Sequence, residues 1–451
     1  MDLNLPNEAV EYFNKKADEF LFLLKPAPRR EKRDKVESSR TEQFFYELTE
    51  KDIISIGATM ELDGFGKERA RYFNVERTNI GLSADDYTSF EKLTLQLAKR
   101  KEFNSLLSQK FLNDTLFEWF EKKYTGALNS SDSFITYLSE KSENAVKARK
   151  ISIPLSFISI QEPFNVGGVT FEYLKKELFD QIEKHLLKKL EHREKNVAEK
   201  MVNTRKRYQG SVVASMTVRA EKQKSLEIVK EETEKAIMIL QFFSPATFLP
   251  EIPCYFGRMG HVNIPSSHFF LFKDNQLPDI IMEVDEKKDF DFFIGKQQLS
   301  MLKRVGLEEA SKVILKEQRT QLEDLLLNCI KLFTKGIASR EYQDKIVFSL
   351  VSVETLLLQN TSEPIQSTVG LRLAFLTENS TDGRKSVIEL IKKAYTLRSA
   401  YLHHGKYDYD YKILQDLQHA VWTALRNVLM NRNRFTSQTE LLDFIEKQVL
   451  K

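Results

Sequence analysis

The stretch RKSVIELIKKAYTLRSAYLHH at 384–404 carries apolar residues three and four apart, Ile391, Ala394 and Leu402 among them, and reads as a long amphipathic helix. The same period runs through 307–334, 341–359 and 411–431, with breaks placed at Gly336, Pro364, Gly383 and Gly405. Four such segments in succession predict a helical bundle over 318–451. Working outward, 291–317 reads as a connecting helical segment, and the polar run DEKKDFDFFIGKQQ at 285–298 reads as a connection between domains.

Further upstream the pattern changes. ISIPLSFISIQEPFNVGGVTFEYL at 151–174 is rich in β-branched and aromatic residues around Asn165–Gly168, which predicts a β-hairpin. SVVASMTVRA at 211–220 reads as a strand and ETEKAIMILQFFS at 232–244 as a helix. Between them, 171–207 reads as a charged helix with Leu174, Leu178 and Ile182 along one side, ending at Arg205–Arg207. Together these make 146–290 an α/β region, assigned as a sensor domain. Residues 1–145 read as mostly helical, with a possible strand at Asp52–Met60 and a basic loop at 25–40. The fold class is therefore α+β: a mixed α/β N-terminal region followed by an all-α bundle.

Composition bounds the chemistry. The chain has 451 residues with 68 Lys+Arg against 65 Asp+Glu, a net charge of +3 that argues against a generic nucleic-acid-coating polycation. Only 16 Gly and 11 Pro are present, which favours long helices over forced turns. The opening MDLNLPNEAVEYF lacks the basic start and long apolar core of a signal peptide, and no run of eighteen apolar residues occurs, so a cytoplasmic protein without a membrane span is expected. Cys254 and Cys329 lack paired spacing, and His185 and His192 lie two helical turns apart, so no metal site and no cofactor are expected. Neither GxxxxGK[ST] nor GxGxxG follows the Gly pair at 167–168, which leaves a turn there instead of a phosphate cradle.

Two charges violate the bundle's pattern. Arg398 follows Ile391 and Ala394 on an apolar stripe, and Glu354 sits among Val347, Val351 and Leu358 on an earlier helix. A lone buried charge costs several kcal/mol, so each needs a partner, and an Arg398–Glu354 pair is the economical expectation. After Arg398 come Ser399, then His403 and His404 in the last turn before Gly405, where a helix C-terminus favours imidazolium. On a regular helix His403 lies about 140° and His404 about 120° the other way from Arg398, so neither projects directly beside it. Read by themselves, these residues are accounted for by capping histidines and a structural ion pair.

The string Tyr395-Thr-Leu-Arg398-Ser399-Ala-Tyr-Leu-His403-His404-Gly405 resembles the R-x4-6-H signature of HEPN domains, in the RS…HG form of the ApeA-like group. FSLVSVETLLL at 348–358 and VGLRLAFLTE at 369–378 resemble the Glu-bearing and Arg-bearing helices of such domains, and 411–431 their closing helix. The resemblance covers about 318–435 and implies a metal-independent endoribonuclease that works as a homodimer, with paired motifs forming one cleft. It implies that Arg398 holds the scissile phosphate, that His403 or His404 is the general acid or base for 2′-OH attack, that Ser399 is a polar contact and that Glu354 orients Arg398. The products would carry 2′,3′-cyclic phosphate and 5′-OH ends. The family points to a toxin or antiviral effector acting on RNA, with an unknown trigger at the N-terminal region. The alternative is a non-catalytic HEPN-containing protein that dimerises and binds a ligand or RNA.

Overall fold

The computed structural model describes residues 5–27, 54–55, 60–63, 65–129, 131–189, 202–252, 254–260, 266–271, 279–284, 291–359, 363–405 and 409–450. These divide into two units, one of 1–150 with 217–228, the other of 151–216 with 229–451. Most of the basic loop expected at 25–40, and His192 and His261, lie outside the described residues.

Beside its four helices, the first unit contains strands that the sequence reading of 1–145 leaves largely unmarked. It holds a five-stranded antiparallel sheet in the order β1-β5-β4-β3-β2, from β1 (Lys25–Pro26), β2 (Ile54–Ser55), β3 (Met60–Leu62), β4 (Glu68–Val75) and β5 (Thr78–Ser83). The possible strand at 52–60 meets β2 and the start of β3. The β4–β5 hairpin escapes sequence reading because its two-residue turn is Glu76-Arg77, both at positive φ (47° and 71°), with none of the Asn-Gly chemistry such turns favour. Helices α1 (Asn7–Leu23), α2 (Ala84–Ala98), α3 (Gln109–Tyr124) and α4 (Phe134–Ala145) supply an aromatic core of Phe20, Phe90, Phe117, Trp119, Phe120 and Phe134. Aromatic stripes at helical spacing are thus packing.

The second unit begins with a sheet in the order β11-β6-β10-β9-β8: β6 (Lys147–Ser156), β8 (Phe164–Val166), β9 (Val169–Tyr173), β10 (Val212–Ala220) and β11 (Gly257–Arg258), the first four residues of β6 and the last four of β10 being assigned to the first unit. The expected hairpin is present: Val166 pairs with Val169 across Gly167-Gly168. The predicted helix over 171–207 starts later, as α5 (Lys176–Lys189), because Val169–Tyr173 is committed to the sheet. Its buried contact is Phe179, whereas Leu178 and Ile182 face outward.

β12 (Ser266–Leu271) pairs antiparallel with β13 (Asp279–Val284), and Phe292–Ile294 forms β14, parallel to β7 (Ile158–Ile160), with Phe292 and Ile294 buried and Phe293 exposed. The described part of 285–298 is therefore core strand and helix start instead of an inter-domain connection. Two-residue alternation hidden in a polar context accounts for the difference. One hydrophobic core runs from Leu155 to Ile445, so the expected boundaries at 290 and 317 fall inside a single packed unit.

Helix α6 (Lys222–Phe242) and α7 (Lys296–Leu302) lead to the bundle: α8 (Glu308–Leu315), α9 (Gln321–Ala338), α10 (Tyr342–Leu357), α11 (Ile365–Thr377), α12 (Thr381–His404), α13 (Tyr411–Met430) and α14 (Gln438–Val449). The predicted 307–334 helix is broken before Gln321, where Thr320 and Glu323 form a capping box. Gly336 lies inside α9 and does not end it. A Cβ there would stand 3.0 Å from the Phe348 Cβ, so the small residue lets α10 approach. Gly383 likewise lies in the first turn of α12, where its N–H donates to Ser380 Oγ at 3.1 Å.

Lys345 is buried on α10, 4% exposed, with its Nζ donating to the carbonyls of Pro250 (3.1 Å) and Ile337 (3.5 Å). Burial pulls its pKa down from 10.5 to about 8. The unfolded chain then holds the extra proton between those values, so stability rises with pH from about 8 to 10.5. The full effect is about 3 kcal/mol. Urea unfolding of wild type and Lys345→Met across that range should diverge accordingly; parallel pH profiles would contradict it.

Candidate active site at the end of helix α12

Helix α12 begins with a Ser380 cap and ends where Gly405 takes a left-handed conformation (φ 59°), its N–H donating to Tyr401 O at 3.0 Å. Ile391 and Ala394 are fully buried and Leu397 packs against the core, but Leu402 is 53% exposed. The end of the helix therefore leaves the core, and Arg398 sits at its edge with its side chain 26% exposed. Glu354 is similarly half-buried, 18% exposed, because the core face of α10 is Ile346, Leu350, Val353 and Leu357. The expectation of two deeply buried charges gives way to a pair at the rim, which lowers the desolvation cost of keeping both ionised.

The two charges meet. Arg398 Nη1 donates to Glu354 Oε1 at 2.6 Å, and the Tyr395 hydroxyl donates to the same oxygen at 2.7 Å. The Arg398 Cζ also lies 5.8 Å from the Tyr395 ring centroid. Partial burial and the adjacent Glu354 carboxylate hold the Tyr395 hydroxyl protonated, well above its ordinary range. Tyr395 was given no role by sequence reading, although its spacing of three from Arg398 places both on one face. Glu354→Ala should strand the guanidinium and the hydroxyl together and cost about 1–3 kcal/mol. Tyr395→Phe should cost less, since Arg398 still has its carboxylate, and urea unfolding of the two variants ranks them.

An open groove of about 320 Å³ runs beside this pair, lined by Tyr395, Arg398, Ser399, Leu402 and His403 of α12 with Ile365 and Gln366 of α11. Helical geometry places the five α12 positions within an arc of about 140°, from Arg398 at one edge to His403 at the other, with Ser399 between. The helix continues to His404, and the groove is lined by residues of both edges. His404 is the helix's last residue, and its side chain falls outside the described residues. The first turn of α11 flanks the groove, and the free N–H groups at such a helix start favour anions.

Chemically the groove offers a fixed guanidinium, a hydroxyl and an exposed imidazole, a set able to hold a phosphodiester and move a proton beside it. Among the described residues no three His, Cys, Asp or Glu side chains gather as metal ligands, and no helix is long and apolar enough to cross a membrane. Cys254 and Cys329 are free and buried, with burial raising the thiols to about 11 and about 12. Compared with protein-family models, curated proteins and solved structures, the chain matches none of them.

Proposed function

We propose that the protein is a HEPN-type endoribonuclease that cuts RNA by attack of a ribose 2′-OH on the adjacent phosphate, leaving 2′,3′-cyclic phosphate and 5′-OH ends. The observation that carries this reading is the placement of Arg398, Ser399 and His403 on one open groove, with Glu354 and Tyr395 fixing the guanidinium from behind. Arg398 holds the scissile phosphate and stabilises charge that builds on its oxygens. His403 moves the proton of the 2′-OH or of the leaving oxygen, with His404 the second candidate, and Ser399 is a polar contact. Exposed Leu402 and Ile365 at the groove edge suit a second copy of the chain, which would bring a second motif to the cleft. A regulated toxin or antiviral effector, acting in the cytoplasm as a homodimer, is the role this chemistry fits.

The same exposed Leu402 and Ile365 also favour a second reading, a non-catalytic dimerisation module that binds a ligand or RNA. Incubating the full-length protein with total cellular RNA in EDTA and mapping new ends separates the two. Cyclic-phosphate ends in the wild type but not in Arg398→Ala support the nuclease; a folded dimer that binds RNA and leaves it whole supports the module.

A further inference from the structure

A second cavity of the second unit lies away from the α12 groove. It is a cleft of about 740 Å³ between the C-terminal half of α6 and α9, with the segment Cys254–Arg258 across its floor. That volume lies in the range of small-molecule sites. Its floor and walls are mainly apolar, with Tyr255 and Phe256 below and the partly exposed side chains of Met238 and Leu327 on opposite walls.

Charge is distributed unevenly around it. Five cations line the cleft against two acids, Glu231 and Glu234. Both acids are engaged: Glu231 with Lys235 at 2.8 Å, and Glu234 with Arg258. Arg340 lies over the Tyr255 ring at 5.4 Å. Lys331 and Lys335, one helical turn apart on α9, are exposed and meet no carboxylate among the described residues. Like charges one turn apart repel by a few tenths of a kcal/mol, and an anion bound between them relieves that repulsion. Two amides complete the set. Gln241 spends its Nε2 on the Phe256 carbonyl at 3.1 Å, which leaves its Oε1 as an acceptor, and Asn328 offers both a donor and an acceptor. Hydrogen-bonding amides between apolar walls suit the edge of a planar heterocycle and do not suit an alkyl chain.

We propose that this cleft binds a nucleoside phosphate, with the base between Met238 and Leu327, its polar edge on Asn328 and Gln241, and the phosphates on Lys331 and Lys335. The assignment does not depend on RNA cleavage at α12, and its test reads binding alone.

Isothermal titration of the full-length protein with ADP, GDP, CDP and UDP, beside adenosine and inorganic phosphate, is the measurement. At least one diphosphate should bind with a Kd below about 1 mM, and at least tenfold more tightly than adenosine or phosphate. The double variant Lys331→Glu/Lys335→Glu should weaken that binding at least tenfold with its melting temperature unchanged, since both side chains are exposed. Asn328→Trp, also at an exposed position, should fill the cleft and abolish binding. Arg398→Ala should leave it intact, which separates the cleft from the α12 groove. No binding by any diphosphate, phosphate binding as tight as the diphosphates, or affinity unmoved by the double variant and by Asn328→Trp would each overturn the assignment. Loss of binding in Arg398→Ala would do the same.

Discussion

Replacing Arg398 by Ala should lower RNA cleavage by about 10²- to 10³-fold, the usual loss when one charge-stabilising donor is removed from a reacting phosphate or oxyanion. His403→Ala should lose about 10²- to 10⁴-fold, the range for a general acid or base. The double variant should lose little more than the worse single one, because residues that serve one step are not additive. Neither change should unfold the protein. Arg398 sits at the rim, and Glu354 keeps the Tyr395 hydroxyl as a donor when the guanidinium is gone. End mapping of total RNA in EDTA reads the cleavage, thermal melting reads the fold, and toxicity on overexpression gives an independent check. Full cleavage in both single variants would remove the nuclease reading. Equal loss in His403→Ala and His404→Ala would mean that the proton is not assigned to one imidazole.

Arg432→Ala should be strongly destabilising, by about 3–5 kcal/mol. Arg432 follows α13 and is 6% exposed, with Nη1 at 2.5 Å from Glu309 Oε2 and Nε at 3.6 Å from Glu323 Oε1. Glu323 is 1% exposed and also takes Lys316 Nζ at 2.6 Å while closing the capping box on Thr320. Truncating the arginine leaves a buried carboxylate with one cation in place of two and opens a cavity at the junction of α8, α9 and α13. Lys312 and then Arg432 hold the Glu309 carboxyl below its ordinary range. For Glu323, burial pushes upward but Lys316 and the Thr320 N–H outweigh it, so this pKa is lowered too. Both groups therefore contribute stability above about pH 4.5 that fades as acid protonates them in the folded state. Urea unfolding at pH 7 and pH 4 should show a smaller gap between wild type and Arg432→Ala at the lower pH. An equal gap at both would contradict the linkage.

What was legible in the sequence follows from where tertiary packing agrees with local pattern. The Arg398–Glu354 contact could be anticipated because a charge inside a three-four apolar stripe needs a partner, and each helix offered one such charge. The 166–169 turn could be read because its Gly pair marks the turn between two β-branched and aromatic runs. The β4–β5 hairpin could not, since Glu76-Arg77 adopts left-handed backbone that its residue types disfavour, held there by the flanking strands. Phe292–Ile294 was obscured because a three-residue strand inside acidic and basic neighbours gives too short a period to detect. Tyr395 belonged to the right string, yet nothing in its spacing said that its hydroxyl would share a carboxylate oxygen with Arg398.

The discontinuity of the first unit bears on how the chain is made. Its segment 217–228 is stitched to the earlier part by the Glu221 N–H on Leu106 O at 2.8 Å, and by the Glu221 carboxylate, which takes the Ser108 N–H at 3.2 Å. On a ribosome, residues 1–150 emerge well before the piece that caps them. At roughly 5–20 residues per second, that nascent unit waits several seconds for its missing segment while 151–216 is still being synthesised. A truncation ending at 150 freezes the chain in that waiting state, with the Ser108 N–H deprived of its acceptor. Such a fragment is a template for chaperone binding and aggregation, and a fragment meant to isolate the unit must carry 217–228 in the same polypeptide.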